Sequence, residues 1–233
     1  MAVRKPLIDD LVLEEGEVLP VQSRLRHNIL KMPEEIQEAS GIVVNGRRIR
    51  SLLFSTDLAI IHNCNADAVF AVYPFTAHRS ISQGIIRMAP MPVFCGVGGG
   101  TTQGMRAVYL ATDAEAQGAA GLVLNSPFPN TDLRRIARVV DIPIVVTVAS
   151  LEDNIGARLR SGASILNVAG GRNTPEIVAR IRSSFPKVPI MASSGRTPES
   201  VRATISAGAN AIVYSPPSSA ELFRDLMDSY RPE

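Results

Sequence analysis

The chain has 233 residues, of which 45% are apolar and 20% charged, with a formal net charge of +2 and no tryptophan. That length buries a full core in a single domain, and the composition excludes a disordered chain. No run approaches the roughly 18 apolar residues that span a bilayer, and Lys and Arg are scattered rather than gathered into a nucleic-acid footprint. At the N-terminus, Arg4 and Lys5 are followed at once by Asp9, Asp10, Glu14, Glu15 and Glu17 instead of an apolar leader, which predicts a cytoplasmic protein. Val21 to Ala39 contains a helix-like stretch. Gly41 to Ile49 reads as a hairpin around Asn45-Gly46, the strongest two-residue hairpin signal. Arg47, Arg48 and Arg50 on and beside it read as a solvated face.

From Ser51 onward one pattern recurs eight times. Apolar strand-like runs begin near Ser51, Ala66, Pro92, Ala120, Pro143, Ala163, Pro189 and Ala211. Each precedes a helix-like run: Asp57–Asn65, Arg79–Met88, Thr102–Gly118, Thr131–Val140, Leu151–Ser161, Thr174–Ser184, Pro198–Ala207 and Ser219–Tyr230. The spacing, roughly 23 residues, is that of a compact βα unit with short loops. The strands are continuously apolar, as parallel strands covered on both faces must be. The helices are charged on one side, with Leu133, Ile136, Ala137 and Val140 on one stripe and Arg134, Arg135 and Arg138 off it. Eight such units predict an α/β fold, a closed (β/α)8 TIM barrel at 51–233, in preference to an open doubly wound sheet. Residues 1–50, the helix and hairpin, are then an extension capping its N-terminal end.

In such a barrel the functional residues lie at the C-terminal ends of strands. The last two units, PIMASSGRTPESVRATISAGANAIVYSPPSS, place small-residue turns after two neighbouring strands, where backbone N–H groups approach an anion closely. Thr197 caps the intervening helix, Pro198 takes its first position and Gly208 closes it. Together with NVAGGRNTPE, this segment resembles the last three strands of the ribulose-phosphate-binding barrel superfamily. The resemblance covers about a quarter of the chain. It implies a phosphate held by the loops after barrel strands seven and eight, with Ser193, Ser194, Gly195 and Arg196 on one side and Ser215, Ser218 and Ser219 on the other. Gly170 and Gly171 would form a third wall. Pro216-Pro217 stand where the superfamily usually carries glycines, and proline supplies no N–H. The run Gly96 to Thr102 is a second glycine-rich loop, which reads equally as a further anion nest or flexible substrate loop and as a plain flexible turn.

Acid, base and nucleophile candidates are few. Lys5, Lys31 and Lys187 lie off the strands, which excludes a Schiff-base aldolase. His27, His62 and His78 fit no zinc spacing, and no carboxylate cluster suits a hard cation, so no resident metal and no cofactor are predicted. Cys64 and Cys95 occupy different local contexts and make no disulfide framework. Asp57, His78 and Cys95 remain as catalytic candidates at the ends of the first three strands, with Thr102, Asn125 and Asn167 as substrate-binding groups. Asp57 and His78 would equally serve as helix caps, and Cys95 as a small core residue. The expected function is a metal-independent isomerase, epimerase or lyase acting on a small phosphorylated metabolite. The alternatives are a non-catalytic phosphometabolite-binding or regulatory barrel, and a hydrolase using Cys95 with His78. Neither a nucleic acid nor a membrane is an expected partner. Barrels of this size often pair through outer helices, so a homo-oligomer stays open.

Overall fold

The computed structural model describes residues 30–231, and its architecture follows from how the apolar runs pair. A short antiparallel hairpin, β1 (Ile42–Val44) and β2 (Arg47–Ile49), precedes the barrel. Its turn is built as the Asn-Gly pair requires, with both Asn45 (φ 48°) and Gly46 (φ 78°) in the left-handed region. The eight barrel strands are β3 (Ser51–Phe54), β4 (Ala68–Ala71), β5 (Val93–Gly98), β6 (Gly121–Leu124), β7 (Ile144–Val148), β8 (Ile165–Val168), β9 (Ile190–Ser193) and β10 (Ala211–Tyr214). All pair in parallel with their sequence neighbours. β10 closes onto β3 through Ile212 opposite Ser51 and Val213 opposite Leu52.

The helices alternate with the strands: α1 (Leu58–His62), α2 (Arg79–Met88), α3 (Gly104–Ala116), α4 (Asn130–Ile136), α5 (Ile155–Arg160), α6 (Thr174–Ser184), α7 (Pro198–Ser206) and α8 (Ser219–Tyr230). Most are a few residues shorter than the expected runs, and two departures have a clear cause. Asn154, not a residue near Leu151, caps α5 through the Ala157 N–H at 2.9 Å, because Ser150 to Asp153 are held in a turn by the Asp153 carboxylate. Of the expected Val21–Ala39 helix, 21–29 lie outside the described residues, and the remainder forms only a 310 turn at Glu34–Glu38 after Pro33.

Alternation along each strand divides the core into two layers. Leu52, Phe70, Phe94, Val123, Val145, Met191 and Val213 point inward and fill the barrel, joined by Ile42, Val44 and Ile49 of the hairpin. Leu53, Val69, Cys95, Leu122, Val146, Leu166 and Ile212 point outward onto the helices, meeting Ile60, Ile85, Leu133, Ile177, Ile181 and Val201. At the N-terminal rim Asp67 accepts the N–H groups of Arg50 and Ser51 at 2.8 and 3.0 Å, and Ser51 Oγ accepts the Asp67 N–H at 2.9 Å. This reciprocal clamp fixes the entry of β3 beside β4 and leaves the C-terminal mouth as the polar end.

Candidate functional site

Inside the barrel the apolar filling gives way to polar groups at one level. Thr147 on β7 stands opposite Asn167 on β8, and Asn125 follows β6 one residue beyond the Leu124–Val146 pair. Their side chains form a directed chain. The Asn167 amide donates to Thr147 Oγ1 at 3.3 Å, and the Thr147 hydroxyl donates to Asn125 Oδ1 at 2.9 Å. Asn167 and Thr147 are buried, 3% and 7% exposed. Asn167 Oδ1 has no hydrogen-bond partner, an arrangement that costs about 1–3 kcal/mol relative to a satisfied carbonyl.

Asn125 is the end of this chain that reaches the mouth. It lines a narrow cleft of about 40 Å³ with Tyr73, Phe75, Gly98, Gly99 and Thr102. The glycine run after β5 is there for contact. A Cβ on Gly98 would lie 2.6 Å from the Phe128 ring, and one on Gly99, whose φ is +123°, would lie 2.7 Å from the Asn125 carbonyl oxygen. Gly99 and Thr102 exchange both backbone hydrogen bonds, at 2.9 and 3.0 Å, so the loop is a tight turn packed on Asn125. Across the cleft Thr76 Oγ1 and Thr101 Oγ1 are 3.2 Å apart, and the buried Thr102 hydroxyl accepts the Ala77 N–H at 3.4 Å. The Tyr73 hydroxyl accepts the His78 N–H at 2.6 Å. Tyr73 and Thr147 thus take part in the mouth although neither carries a sequence motif.

The two loops expected to hold phosphate do meet. Arg196 spans them, donating from Nε to the Ser215 carbonyl at 3.2 Å and from Nη2 to the Pro216 carbonyl at 3.0 Å. Ser193 is half-buried at the end of β9, and Ser194 Oγ donates to the Gly195 carbonyl at 3.0 Å. Several backbone donors are already committed within the loops. The Gly195 N–H goes to Ser200 Oγ at 2.8 Å, the Gly170 N–H to Thr174 Oγ1 at 3.1 Å, and the Ser218 N–H to Glu221 at 2.6 Å. Gly171 opens a 310 turn at φ +60°. Ser218 and Glu221 form a capping box on α8, which holds the Glu221 carboxyl below the usual range, chiefly through the Ser218 backbone.

No protein-family model and no curated protein matches the sequence. Solved structures do match. 2,3-Dimethylmalate lyase, a PEP mutase/isocitrate lyase superfamily member, superposes with a TM-score of 0.58 at 13% identity, covering 84% of this chain and 83% of that one. Oxaloacetate acetylhydrolase in complex with its product oxalate gives 0.60 at 12%, covering 89% and 84%. The 4-hydroxy-tetrahydrodipicolinate synthase of Methylacidiphilum fumariolicum SolV gives 0.53 at 18%, covering 74% and 69%. The fold is a TIM barrel. At these identities the likeness is one of fold.

What these structures share with this chain is the TIM barrel, which leaves the resemblance drawn from residues 163–219 at the level of the fold. The segment's own features are of that general kind. Its Thr197 cap, its Pro198 at the first helical position and Gly208 at φ +110° serve any βαβ unit closing a barrel.

Within the TIM barrel the three catalytic candidates do not converge. Asp57 caps α1, accepting the Ala59 and Ile60 N–H groups at 2.8 and 3.3 Å, and it also accepts the Ser219 hydroxyl, the main cause of its lowered pKa. His78 stands exposed at the start of α2 and makes no side-chain cap bond. Cys95 is fully buried and faces the helix layer, away from the mouth, and burial pushes its thiol up to about 12. The inward neighbours of Cys95 are Phe94 and Gly96, so a nucleophile at 95 would face helices rather than a substrate. Among the described residues no three His, Cys, Asp or Glu side chains stand close enough together to hold a metal ion.

Proposed function

We propose that this chain is an enzyme of the isomerase, epimerase or lyase type acting on a small phosphorylated metabolite at the C-terminal mouth of the barrel. The observation that carries the reading is the Asn167–Thr147–Asn125 chain, a buried polar layer in an otherwise apolar barrel, which presents the Asn125 amide to the cleft. Buried polar groups of this kind cost stability, and their position at the functional end of the fold supports a ligand-binding role. The Asn125 amide and the Tyr73 hydroxyl contact the substrate's oxygens, and Asn167 positions Thr147 behind them. The phosphate lies beside Arg196 between the β9 and β10 loops. A cleft of about 40 Å³ holds no metabolite, so entry parts the Thr76–Thr101 contact. The name 2,3-dimethylmalate lyase on a barrel of this fold supports the lyase among the three types.

The test is a panel of sugar phosphates and phosphorylated three- and four-carbon acids, read by thermal shift and turnover. A panel member raises the melting temperature of the parent, and Ser194→Asp and Asn125→Leu abolish the shift. Equal shifts in all three proteins would sink the site. A second reading, a non-catalytic binder of the same ligands, is favoured by the commitment of Asp57, Asp153 and Glu221 to helix caps and turns. Binding without turnover across the panel selects it.

A further inference from the structure

On the outside of the barrel a groove of about 350 Å³ runs between α5 and α6 and shares no lining residue with the mouth cleft. It exists because α5 is only six residues long, begins late at Asn154, and buries none of them fully. Its lining is mixed: Ser150, Asn154 and Ser184 flank an apolar strip in which Ile181 is buried and Leu151, Ile155 and Phe185 are half-buried and pack on the helix layer of the core. Gly156 forms part of its wall, and a Cβ there would sit in ordinary contact with the Phe185 ring at 3.7 Å. Two cations stand near the apolar strip, one in the lining and one beside Gly156. Arg180 lines the groove from α6, and the Arg160 guanidinium lies 3.1 Å from where the Gly156 Cβ would be. Neither has an ion-pair partner among the described residues. The carboxylate in the groove, Asp153, is already engaged by the Ala149 and Ser150 N–H groups at 3.1 and 3.3 Å and faces Arg158 at 3.9 Å.

We propose that this groove is a second binding site, for a small amphipathic carboxylate whose hydrocarbon body lies on Phe185 and Ile181 and whose anionic head pairs with Arg180 and Arg160. The volume is within the range of small-molecule sites, roughly 300–1,000 Å³. Charge complementarity decides the class of occupant: an uncharged hydrocarbon leaves two guanidinium groups unpaired at the rim, and an alkyl cation is repelled by them. The site is independent of the mouth and of any reaction there.

Octanoate is a suitable probe, with octyltrimethylammonium as the matched cation, titrated by calorimetry at low salt. Octanoate binds the parent and binds at least tenfold more weakly to Arg180→Glu, in which a repelling charge replaces the pairing one. It also binds at least tenfold more weakly to Gly156→Leu, in which a side chain occupies the groove. Arg180 is exposed and Gly156 half-buried, and a cooperative melting transition in each variant confirms that it is folded. Asn125→Leu, in the mouth, leaves octanoate binding unchanged. The proposal is overturned if the parent does not bind octanoate, if octyltrimethylammonium binds as tightly, or if either groove variant retains full affinity.

Discussion

The hydroxyl of Ser219, the first residue of α8, donates to the carboxylate of Asp57, which caps α1 on the far side of the β10–β3 seam. One carboxylate thereby holds the first turns of two helices at the point where the barrel closes. The contact makes Asp57 a structural group before it is anything else. Its loss in Asp57→Ala lowers stability by about 1 kcal/mol, the usual cost of a lost cap, measured by urea unfolding.

The same contact sets a pH dependence. The Asp57 pKa is lowered in the folded chain, first by the Ser219 hydrogen bond, from its ordinary 3.8. A depressed carboxyl contributes stability that is complete above the unfolded-state value and is lost as pH falls through the folded one. Asp57→Asn keeps the cap but not the charge. Its melting temperature lies below the parent's near neutral pH and falls less steeply below about pH 4, so that the two converge in acid. Loss of turnover in Asp57→Asn with the fold intact would return the residue to the catalytic list.

Cys95 gives the opposite kind of result. With its thiol pushed up to about 12, only about one molecule in ten thousand is thiolate at pH 8. Iodoacetamide leaves Cys95 unmodified in the folded protein and labels it once denaturant is added, as peptide mapping reads. Cys95→Ala keeps ligand binding and any turnover. Rapid labelling of the native protein at Cys95 would mean that the side chain reaches the mouth after all.

The contrast shows what the sequence carries. Eight apolar runs at even spacing specify the barrel because parallel strands need apolar faces on both sides, and that same property hides which face is which. VFCGVG reads identically whether Cys95 points in or out, and only closure of β10 onto β3 fixes its outward direction. The polar interruptions are more legible: Asn125 and Asn167 stand out in LVLNS and SILNVAG as hydrogen-bonding groups. Their link through Thr147 is not, since it depends on the register between β7 and β8. The glycine run after β5 reads as loop freedom, and its purpose, close approach to Asn125 and Phe128, appears only in three dimensions.

We propose that the β1–β2 hairpin closes the N-terminal end of the barrel, opposite the site. Ile49 is completely buried among the inward residues Leu52, Phe70 and Val213. Ile49→Ala leaves a cavity there and costs about 2–5 kcal/mol in urea unfolding. Ligand affinity per folded molecule stays the same, because the hairpin and the mouth are at opposite ends. A cost below about 1 kcal/mol would mean that the hairpin only leans on the barrel.

Asn167→Leu separates stability from binding. In the parent the Asn167 carbonyl oxygen is buried with no partner, a standing cost of about 1–3 kcal/mol. Leucine has a similar shape and no polar atom, so the unpartnered oxygen is removed together with the 3.3 Å hydrogen bond from the Asn167 amide to Thr147 Oγ1. The variant is therefore more stable by about 1 kcal/mol, the relief of the oxygen less the lost hydrogen bond, whereas most substitutions of buried residues destabilise. It loses affinity at the mouth, because Thr147 no longer has the Asn167 amide to orient its hydroxyl toward Asn125. Urea midpoints and thermal shifts with the bound panel member read the two effects separately. A gain in stability together with a loss of ligand shift is the signature of a residue kept for function at the expense of the fold. A variant that is destabilised and binds normally would show instead that Asn167 holds the strands together and that the ligand does not depend on it.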